Sequence, residues 1–532
     1  MLPFADLEQD ELRDLLGTQV IVDFPFNVQG PIPYPLHFPS ELVVEVFMHI
    51  LTPFTQDCAQ RHRFKTLRCV CRHWREVAFS TAKLWSKITL DSSDWNNRKK
   101  VLLVGARMRG WFDRAKASPL SLYIQNAPFC LSHVYPIITE DRNWSDIHIS
   151  FARRYRYHVD MSSLLDGLRD APYHPWRNLQ ALYMHYRTGS LHSGTPAYPC
   201  LHPVDQHLPN LESLDTTSLI LSRIAFTPGT ILHPTLTTFK IILCRPQEIK
   251  WCIEKIVPNL PALETLVLEQ SYFNANERLP GEDWGYESDR EMSGPDFPER
   301  IQHPKIRHFT LVYGYLTTLR FFTLPALRIL KLVGASRCYD FNPGLENFFS
   351  LLTRSGCRLE ELDISHLHLH GSLLSLFLRR LDERVRTLSS LSFHSANFNN
   401  HLLHDLSSSD PDLVKPLAFP MLKRLELNIL GSGRRLPLQD FIKWFHLRKA
   451  AQKIPTDSQS DDGGREEPSV FRLVFRAQSG ITVDRAFIKQ RMEDLWDIEK
   501  EALSQMPKLG IRVFVEGIDL YEFAFEGGWL TG

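Results

Sequence analysis

The residues whose spacing best suits metal chemistry are the three histidines of the segment His366-Leu367-His368-Leu369-His370. Alternate side chains of an extended strand point to the same face, so the three imidazoles could together bind a transition metal. However, the segment directly follows the apolar residues of a repeat, which favours leucines in the core and histidines in solvent. We therefore predict no metal site at these histidines.

Other residue types that could do chemistry also lack a supporting pattern. Cys69 and Cys71 would point about 200° apart if both lay on one helix, which does not suit a shared metal ion. The sequence contains no glycine-rich phosphate loop, no Gly-x-Ser-x-Gly elbow and no His-Glu-x-x-His motif. Acid pairs such as Glu360-Glu361 alternate with leucines and are typical of a solvated surface. We predict no catalytic residues, no cofactor and no enzymatic activity.

The composition of the whole chain is that of a folded protein without a dominant charge. Its 532 residues exceed what one hydrophobic core usually organises, which indicates several domains or one elongated repeat array. Lysine plus arginine and aspartate plus glutamate each number 61, so the charge balance favours neither a nucleic acid nor a membrane as partner. The nine cysteines are sparse, and we find neither a signal peptide nor an apolar run of about 18 residues. We expect a cytoplasmic or nuclear protein.

The elements that begin the chain are short helices. Residues 1–35 form an N-terminal segment, in which 5–16 could be one amphipathic helix. After a proline-rich stretch, apolar residues at helical spacing predict a helix that starts near Ser40 and ends at Pro53. A second, continuous helix is predicted over residues 61–80. A bundle this small needs a partner surface or the next domain to complete its core.

Four short groups of residues within and directly beside these helices form a recognisable motif. They are Phe38-Pro39, Glu41-Leu42, Val70-Cys71-x-x-Trp74 and Thr81-Ala82-x-Leu84-Trp85. In this spacing the segment from Leu36 to Leu90 resembles the F-box motif, and in particular the F-box family of mushroom-forming fungi. Phe38 replaces the usual leucine and Ala82 the usual proline, two changes that leave the motif intact.

The resemblance implies a non-enzymatic adaptor. An F-box binds a Skp-family adaptor, which bridges to a cullin ubiquitin ligase, while the C-terminal domain holds a protein substrate whose identity the sequence does not indicate. The adaptor-binding residues implied by the resemblance are Phe38, Pro39, Glu41, Leu42, Val46, Phe47, Val70, Cys71 and Trp74.

Beyond the motif, the phrase Pro-x-Leu-x-x-Leu-x-Leu recurs. Its leading apolar residues are Leu179, Leu211, Leu236, Leu263, Ile306, Leu327, Leu359, Leu388 and Leu422. Most intervals between them are about 21 to 34 residues, the range of leucine-rich repeats. Each phrase would turn three apolar residues inward, so that parallel strands stack over a continuous core. Further strands are predicted in LWSKITL, SPLSLYI and WSDIHISF before the repeats, and in SVFRLVFRA and KLGIRVFVEG after them.

We therefore predict an α/β protein with a short helical F-box over 36–92. A curved leucine-rich-repeat-like solenoid with a parallel sheet follows over 93–517, and a C-terminal tail over 518–532. Polar insertions interrupt the solenoid at 271–302 and 452–468. The first carries eight acidic residues and is either a mobile flap that selects basic substrates or a solvated loop, and the second is a flexible surface loop.

Three classes of function remain open at this point. The chain is a substrate receptor of an SCF-type ligase, a repeat scaffold that binds the adaptor without ubiquitin transfer, or an enzyme with a repeat-like fold. The first two predict binding to the Skp-family adaptor and the third does not. No motif in the sequence favours the enzyme.

Overall fold

The computed structural model describes residues 38–50, 58–91, 94, 98–127, 134–151, 176–186, 211–217, 235–243, 252–270, 300–312, 316–334, 341–365, 371–394, 419–430, 438–452, 470–477, 488–489, 497–515 and 517–526. The helix predicted over 5–16, the histidines at 366–370 and nearly all of the insertions predicted at 271–302 and 452–468 lie outside these residues.

Most of the described strands form one fifteen-stranded sheet, in which the order along the chain is also the order in space. The strands are β1 (Lys87–Leu90), β2 (Leu120–Ala127), β3 (Trp144–Phe151), β4 (Ala181–Tyr186), β5 (Ser213–Thr217), β6 (Thr238–Leu243), β7 (Thr265–Gln270), β8 (Ile301–Gln302), β9 (His308–Val312), β10 (Phe322–Thr323), β11 (Ile329–Val333), β12 (Glu361–Ser365), β13 (Ser390–His394), β14 (Arg424–Leu430), β15 (Phe471–Ala477), β16 (Ile511–Val515) and β17 (Ile518–Asp519). Strands β8 and β10 form a separate parallel pair. In the large sheet every pairing is parallel except that of β16 with β17. The predicted α/β class with a many-stranded parallel sheet is confirmed.

Apolar residues form continuous rows across this sheet. Leu330 of β11 lies between Phe309 of β9 and Leu362 of β12, and all three are fully buried. The same register position is apolar and buried in each parallel strand from Ile88 in β1 to Val513 in β16. Burial of each such side chain contributes roughly 1.5–3 kcal/mol, so these rows are a main source of stability.

The nine leading residues of the repeat phrase are buried in the turns that precede their strands. Leu327, for example, donates its N–H to the carbonyl of Leu324 at 3.1 Å, which closes the turn. The carbonyl of Arg328 then accepts N–H bonds from both Glu360 (2.8 Å) and Glu361 (3.0 Å) of the next repeat, and the same pattern recurs between other neighbouring repeats. The repeats are therefore held in a constant register by backbone bonds as well as by the apolar rows.

Helices cover one face of the sheet. The helices are α1 (Ser40–Ile50), α2 (Cys58–Leu67), α3 (Arg72–Ser80), α4 (Arg98–Ala115), α5 (Tyr135–Ile138), α6 (Phe341–Ser355), α7 (Gly371–Arg384), α8 (Leu438–Gln452), α9 (Asp497–Gln505) and α10 (Leu520–Glu526), with short helical turns at Ala82–Trp85, Cys252–Ile256, Val257–Asn259, Leu316–Phe321 and Pro507–Leu509. The ring of Phe377 in α7 lies 6.4 Å from that of Phe393 in β13, and the ring of Phe441 in α8 lies 5.6 Å from that of Phe471 in β15. We call the opposite side of the sheet, which carries the side chains that alternate with the apolar rows, the open face.

The single helix predicted over 61–80 is wrong, because the segment forms two helices, α2 and α3. The break falls at Cys71, whose backbone is extended (φ −157°, ψ 172°) and whose Sγ accepts a hydrogen bond from the N–H of Trp74 at 3.4 Å. A side chain that accepts this bond acts as an N-cap and starts a new helix. Because cysteine is not a usual N-cap residue and the apolar spacing continues through this position, the sequence gives no sign that one helix ends and another begins here. Cys69 lies in the turn before the cap, and the two cysteines do not share a helix.

Regular structure continues into the segment predicted as a C-terminal tail, 518–532. Strand β17 pairs antiparallel with β16, and α10 follows with Leu520 and Ala524 buried in the common core. The short antiparallel strand covers the edge of the last parallel strand, which would otherwise expose unpaired backbone groups. At the other end of the sheet, β1 lies within the predicted F-box, 36–92.

Candidate functional site

Helices α1, α2 and α3 form a small bundle with an aromatic core. The ring of Phe47 lies 5.5 Å from that of Phe64 and 5.6 Å from that of Trp74, both in edge-to-face geometry. Such pairs add stabilisation beyond the area they bury. The resemblance implies Phe47 as an adaptor-binding residue, which stays a prediction, and in the structure Phe47 has no exposed surface. Its role is to hold α1 against the other two helices.

Phe79 of α3 is exposed but stacks on Trp85. We call the other exposed apolar residues of the described bundle, Phe38, Pro39, Leu42 and Val70, the apolar patch. Phe38 is 36% exposed, Leu42 52% and Val70 59%. The two segments that carry them are tied together, because Nε2 of His73 in the first turn of α3 lies 3.1 Å from the carbonyl oxygen of Phe38. Exposed apolar side chains grouped in this way mark surfaces that bind another protein.

The other predicted adaptor-binding residues lie beside or beneath the apolar patch. Glu41 is exposed in the first turn of α1, and Val46 is half-buried in the same helix. Cys71 is half-buried as the cap of α3, and the half-buried ring of Trp74 packs against Phe47. Glu41 and Val46 can therefore contact a partner at the margin, whereas Cys71 and Trp74 fix the start of α3.

A second aromatic cluster joins the bundle to the sheet. Trp85 is 2% exposed, and its ring lies 5.2 Å from that of Phe64 in α2 and 4.8 Å from that of Trp111 in α4. The guanidinium groups of Arg68 and Arg114 lie 5.3 and 5.0 Å from the centre of the Trp85 ring. Burial lowers the pKa of Arg68, which still remains charged at neutral pH. Since α4 follows β1 of the sheet, the core of the bundle is completed by the next domain.

Polar contacts hold the same junction. Arg61 of α2 pairs with Asp94 at 2.6 Å, with side chains only 16% and 9% exposed, and also donates to the carbonyl of Thr89 in β1. The indole N–H of Trp111 donates to the carbonyl of Lys87 at 3.1 Å. Separating the bundle from the sheet would leave these buried groups unpaired, which is costly. Sequence reasoning missed these contacts, because they join distant residues that share no local pattern.

On the open face near the bundle, three rings form a stack across neighbouring strands. The ring of His148 in β3 lies 4.1 Å from that of Tyr123 in β2 and 3.9 Å from that of Tyr183 in β4. Nζ of Lys87 lies 4.6 Å from the centre of the Tyr123 ring. Burial, with a further contribution from Asp146, raises the pKa of Tyr123 to about 12, and burial lowers the pKa of Lys87. Aromatic and charged groups on a face that none of the described helices covers suit the binding of a protein.

Within the ranges that the structure describes, no group of three or more His, Cys, Asp or Glu residues is placed to bind a metal ion. No described helix combines the length and the apolar character needed to cross a membrane.

Comparison with known proteins identifies the N-terminal part of the chain. Residues 36–91 match a family model described as F-box-like. No curated protein matches the chain. Among solved structures, it is similar to a crystal structure of a protein from Bacteroides fragilis, with 13% sequence identity and a TM-score of 0.26, over 68% of this chain and 84% of that chain. A similarity of this size supports no inference about function. The F-box-like segment contains all of the apolar patch and β1 of the sheet.

Proposed function

We propose that this protein is the substrate-recognition adaptor of an SCF-type cullin ubiquitin ligase, within the F-box family of mushroom-forming fungi. The bundle binds a Skp-family adaptor, and the leucine-rich-repeat-like array holds a protein substrate on its open face. The chain performs no catalysis itself and acts in the cytoplasm or nucleus. The observation that carries the proposal is the apolar patch, exposed within the segment that matches the F-box-like model.

The patch has the physical properties of a binding site for a protein partner. Protein interfaces concentrate their energy in a few apolar anchors, each typically worth about 2 kcal/mol or more on truncation. Leu42 and Val70 are the most exposed large apolar residues of the described bundle. Leu42 stands on α1 and Val70 in the turn between α2 and α3, and the contact between Phe47 and Phe64 holds α1 against α2. A partner therefore finds the anchors preorganised and does not have to order them.

The junction between bundle and sheet supports the same role. A ligase adaptor must hold its substrate at a defined position relative to the transferring enzyme, because proximity and orientation accelerate a transfer reaction. The Trp85–Trp111 contact and the Arg61–Asp94 ion pair connect the bundle rigidly to the first repeat. A substrate on the open face would then have a fixed relation to an adaptor on the patch.

The test is co-purification with a Skp-family adaptor. Replacing Leu42 and Val70 together by alanine should abolish co-purification and leave thermal unfolding nearly unchanged, since both side chains are exposed. The matched control replaces Leu376 in α7 and Met421 before β14, which are 48% and 53% exposed but lie outside the bundle. This control should bind the adaptor normally. Undiminished adaptor binding by the Leu42/Val70 variant would contradict the proposal.

Ubiquitin transfer distinguishes this role from the alternative of a repeat scaffold without a ligase function. Both roles predict adaptor binding. Only the proposed role predicts that a reconstituted cullin ligase containing this chain modifies the proteins that the chain captures. Proteins that accumulate when the chain is removed from cells would identify the substrate.

A further inference from the structure

Three arginines occupy one register position on three neighbouring strands of the open face. Arg424 in β14 pairs in register with Arg472 in β15, which pairs with Arg512 in β16. Neighbouring strands lie about 4.8 Å apart, so the three side chains leave the sheet side by side. Like charges directly opposite each other on a sheet are destabilising. We call these three residues the arginine row.

Elsewhere on the open face, charges on neighbouring strands are opposite in sign. Lys331 of β11 lies 3.3 Å from Glu361 of β12, and Lys240 of β6 lies 3.4 Å from Glu269 of β7. Such pairs are the arrangement that stabilises a sheet. The arginine row departs from this arrangement, so the stability of the sheet does not explain it.

The two outer arginines are compensated by acids, and the central one is not. Arg424 pairs with Glu426 of its own strand, which is 4% exposed. Arg512 pairs with Asp519 at 3.1 Å and also with Glu522. Arg472 is exposed and forms no ion pair with any described residue. The row therefore presents a central guanidinium whose charge the described part of the chain leaves unbalanced.

We propose that the arginine row binds an acidic segment of the protein substrate (the client), with Arg472 donating hydrogen bonds to an aspartate or glutamate carboxylate. This proposal specifies the chemistry of the protein substrate and so rests on the substrate-recognition role proposed above. The guanidinium fork matches a carboxylate in two parallel hydrogen bonds. One unbalanced cation suits a singly charged carboxylate, whereas the three acids around the outer arginines would repel a doubly charged phosphate more strongly.

An apolar residue lies next to this cation. Val470 precedes β15 by one residue and is 46% exposed. Because side chains alternate along an extended chain, Val470 and Arg472 lie on the same side. The client segment is therefore expected to combine an acidic residue with an apolar neighbour.

The proposal is tested by fluorescence anisotropy with the full chain and short labelled peptides. The peptides share a valine-containing framework and carry glutamate, glutamine, lysine or phosphoserine at the same positions. The glutamate peptide should bind best, and its affinity should fall as salt rises from about 0.05 to 0.5 M. Arg472→Glu should weaken binding of the glutamate peptide about tenfold or more, and Arg472→Gln should weaken this binding less.

The matched control is Arg386→Glu, which changes the net charge equally at an exposed arginine in the turn before β13. It should bind the glutamate peptide like the unaltered chain. Equal weakening by Arg386→Glu and Arg472→Glu, preference for the phosphoserine or lysine peptide, or no binding of the glutamate peptide would each overturn the proposal. Co-purification of the Skp-family adaptor, measured on the same preparations, reports separately on the role of the bundle.

Discussion

The apolar patch and the open face of the sheet expose different kinds of side chain. In the patch, the apolar residues Leu42 and Val70 are 52% and 59% exposed. On the open face, charged side chains such as those of Arg472 and Lys331 are in contact with solvent. Residues that alternate with them on the same strands, such as Leu473 and Leu330, point the other way, into the core. Binding at the patch would draw on hydrophobic burial, which salt weakens little, and binding at the open face on charge, which salt screens. One molecule thus combines an exposed apolar surface with an exposed charged surface.

The largest effect is expected at the junction between these two surfaces. Trp85→Ala should lower the free energy of unfolding by about 3–5 kcal/mol, because it empties a buried site shared by the bundle and α4. Denaturant unfolding, followed by tryptophan fluorescence and by circular dichroism, should show one transition shifted to lower denaturant. If the bundle unfolds separately and the sheet keeps its original midpoint, the two surfaces are not rigidly connected. Phe79→Ala, at a residue that is 41% exposed and stacked on Trp85, should cost less.

Adjacent residues of β11 offer the next test, because they lie on opposite faces of the sheet. Leu330→Ala should cost about 2–5 kcal/mol, since Leu330 is fully buried between two other strands. Lys331→Ala should cost less than about 1 kcal/mol, since it removes an exposed ion pair with Glu361. Thermal and denaturant unfolding of the two variants provide the measurement. Similar losses for both would mean that the open face is not solvated as described.

The contrast between the two faces also shows what the sequence can predict. The strand positions and buried leucines followed from the repeat phrase, because alternation of apolar residues is local and parallel stacking repeats it. Leu327 and Leu330, for example, are buried as predicted.

Other features depend on contacts between distant residues, or on a residue in an unusual role. No local sequence pattern predicts the Trp85–Trp111 contact or the alignment of Arg424 with Arg472. Both depend on how distant segments are placed in the folded chain. The apolar pattern predicted one helix through Cys71, whereas in the structure Cys71 caps the start of a second helix. Phe47 has the spacing of a surface anchor, but its ring is in the core.

The salt dependence of binding should distinguish the apolar patch from the arginine row, with a smaller effect than the substitutions above. Raising salt from about 0.05 to 0.5 M should change the affinity for the Skp-family adaptor by less than about threefold, because the patch is apolar. The same change should weaken binding of the glutamate peptide at the arginine row by about tenfold. Titrations of both ligands with the same preparation provide the measurement. A steep loss of adaptor affinity with salt would mean that charge, and not the patch, dominates adaptor binding.

The smallest effect concerns the stack on the open face. Tyr123 has its pKa raised from 10.0 to about 12 in the folded chain, mainly by burial. The folded state therefore holds this proton more tightly, and the associated stability is present below pH 10 and lost as the pH rises to about 12. Tyr123→Phe should lose less stability than the unaltered chain across this range. Thermal midpoints measured at successive alkaline pH values provide the test, and identical profiles for both proteins would contradict it.

The position of β1 has a consequence for how such chains can diversify by recombination. Residues 36–91 match the F-box-like model as one segment, yet this segment ends with a strand that pairs with β2. A genetic exchange of the segment would carry that strand into a foreign sheet, and Trp85 would arrive without the Trp111 it packs against. Exchange would succeed only between chains whose first repeats already match. The bundle and the elements that it packs against, β2 and α4, are thus expected to be inherited together.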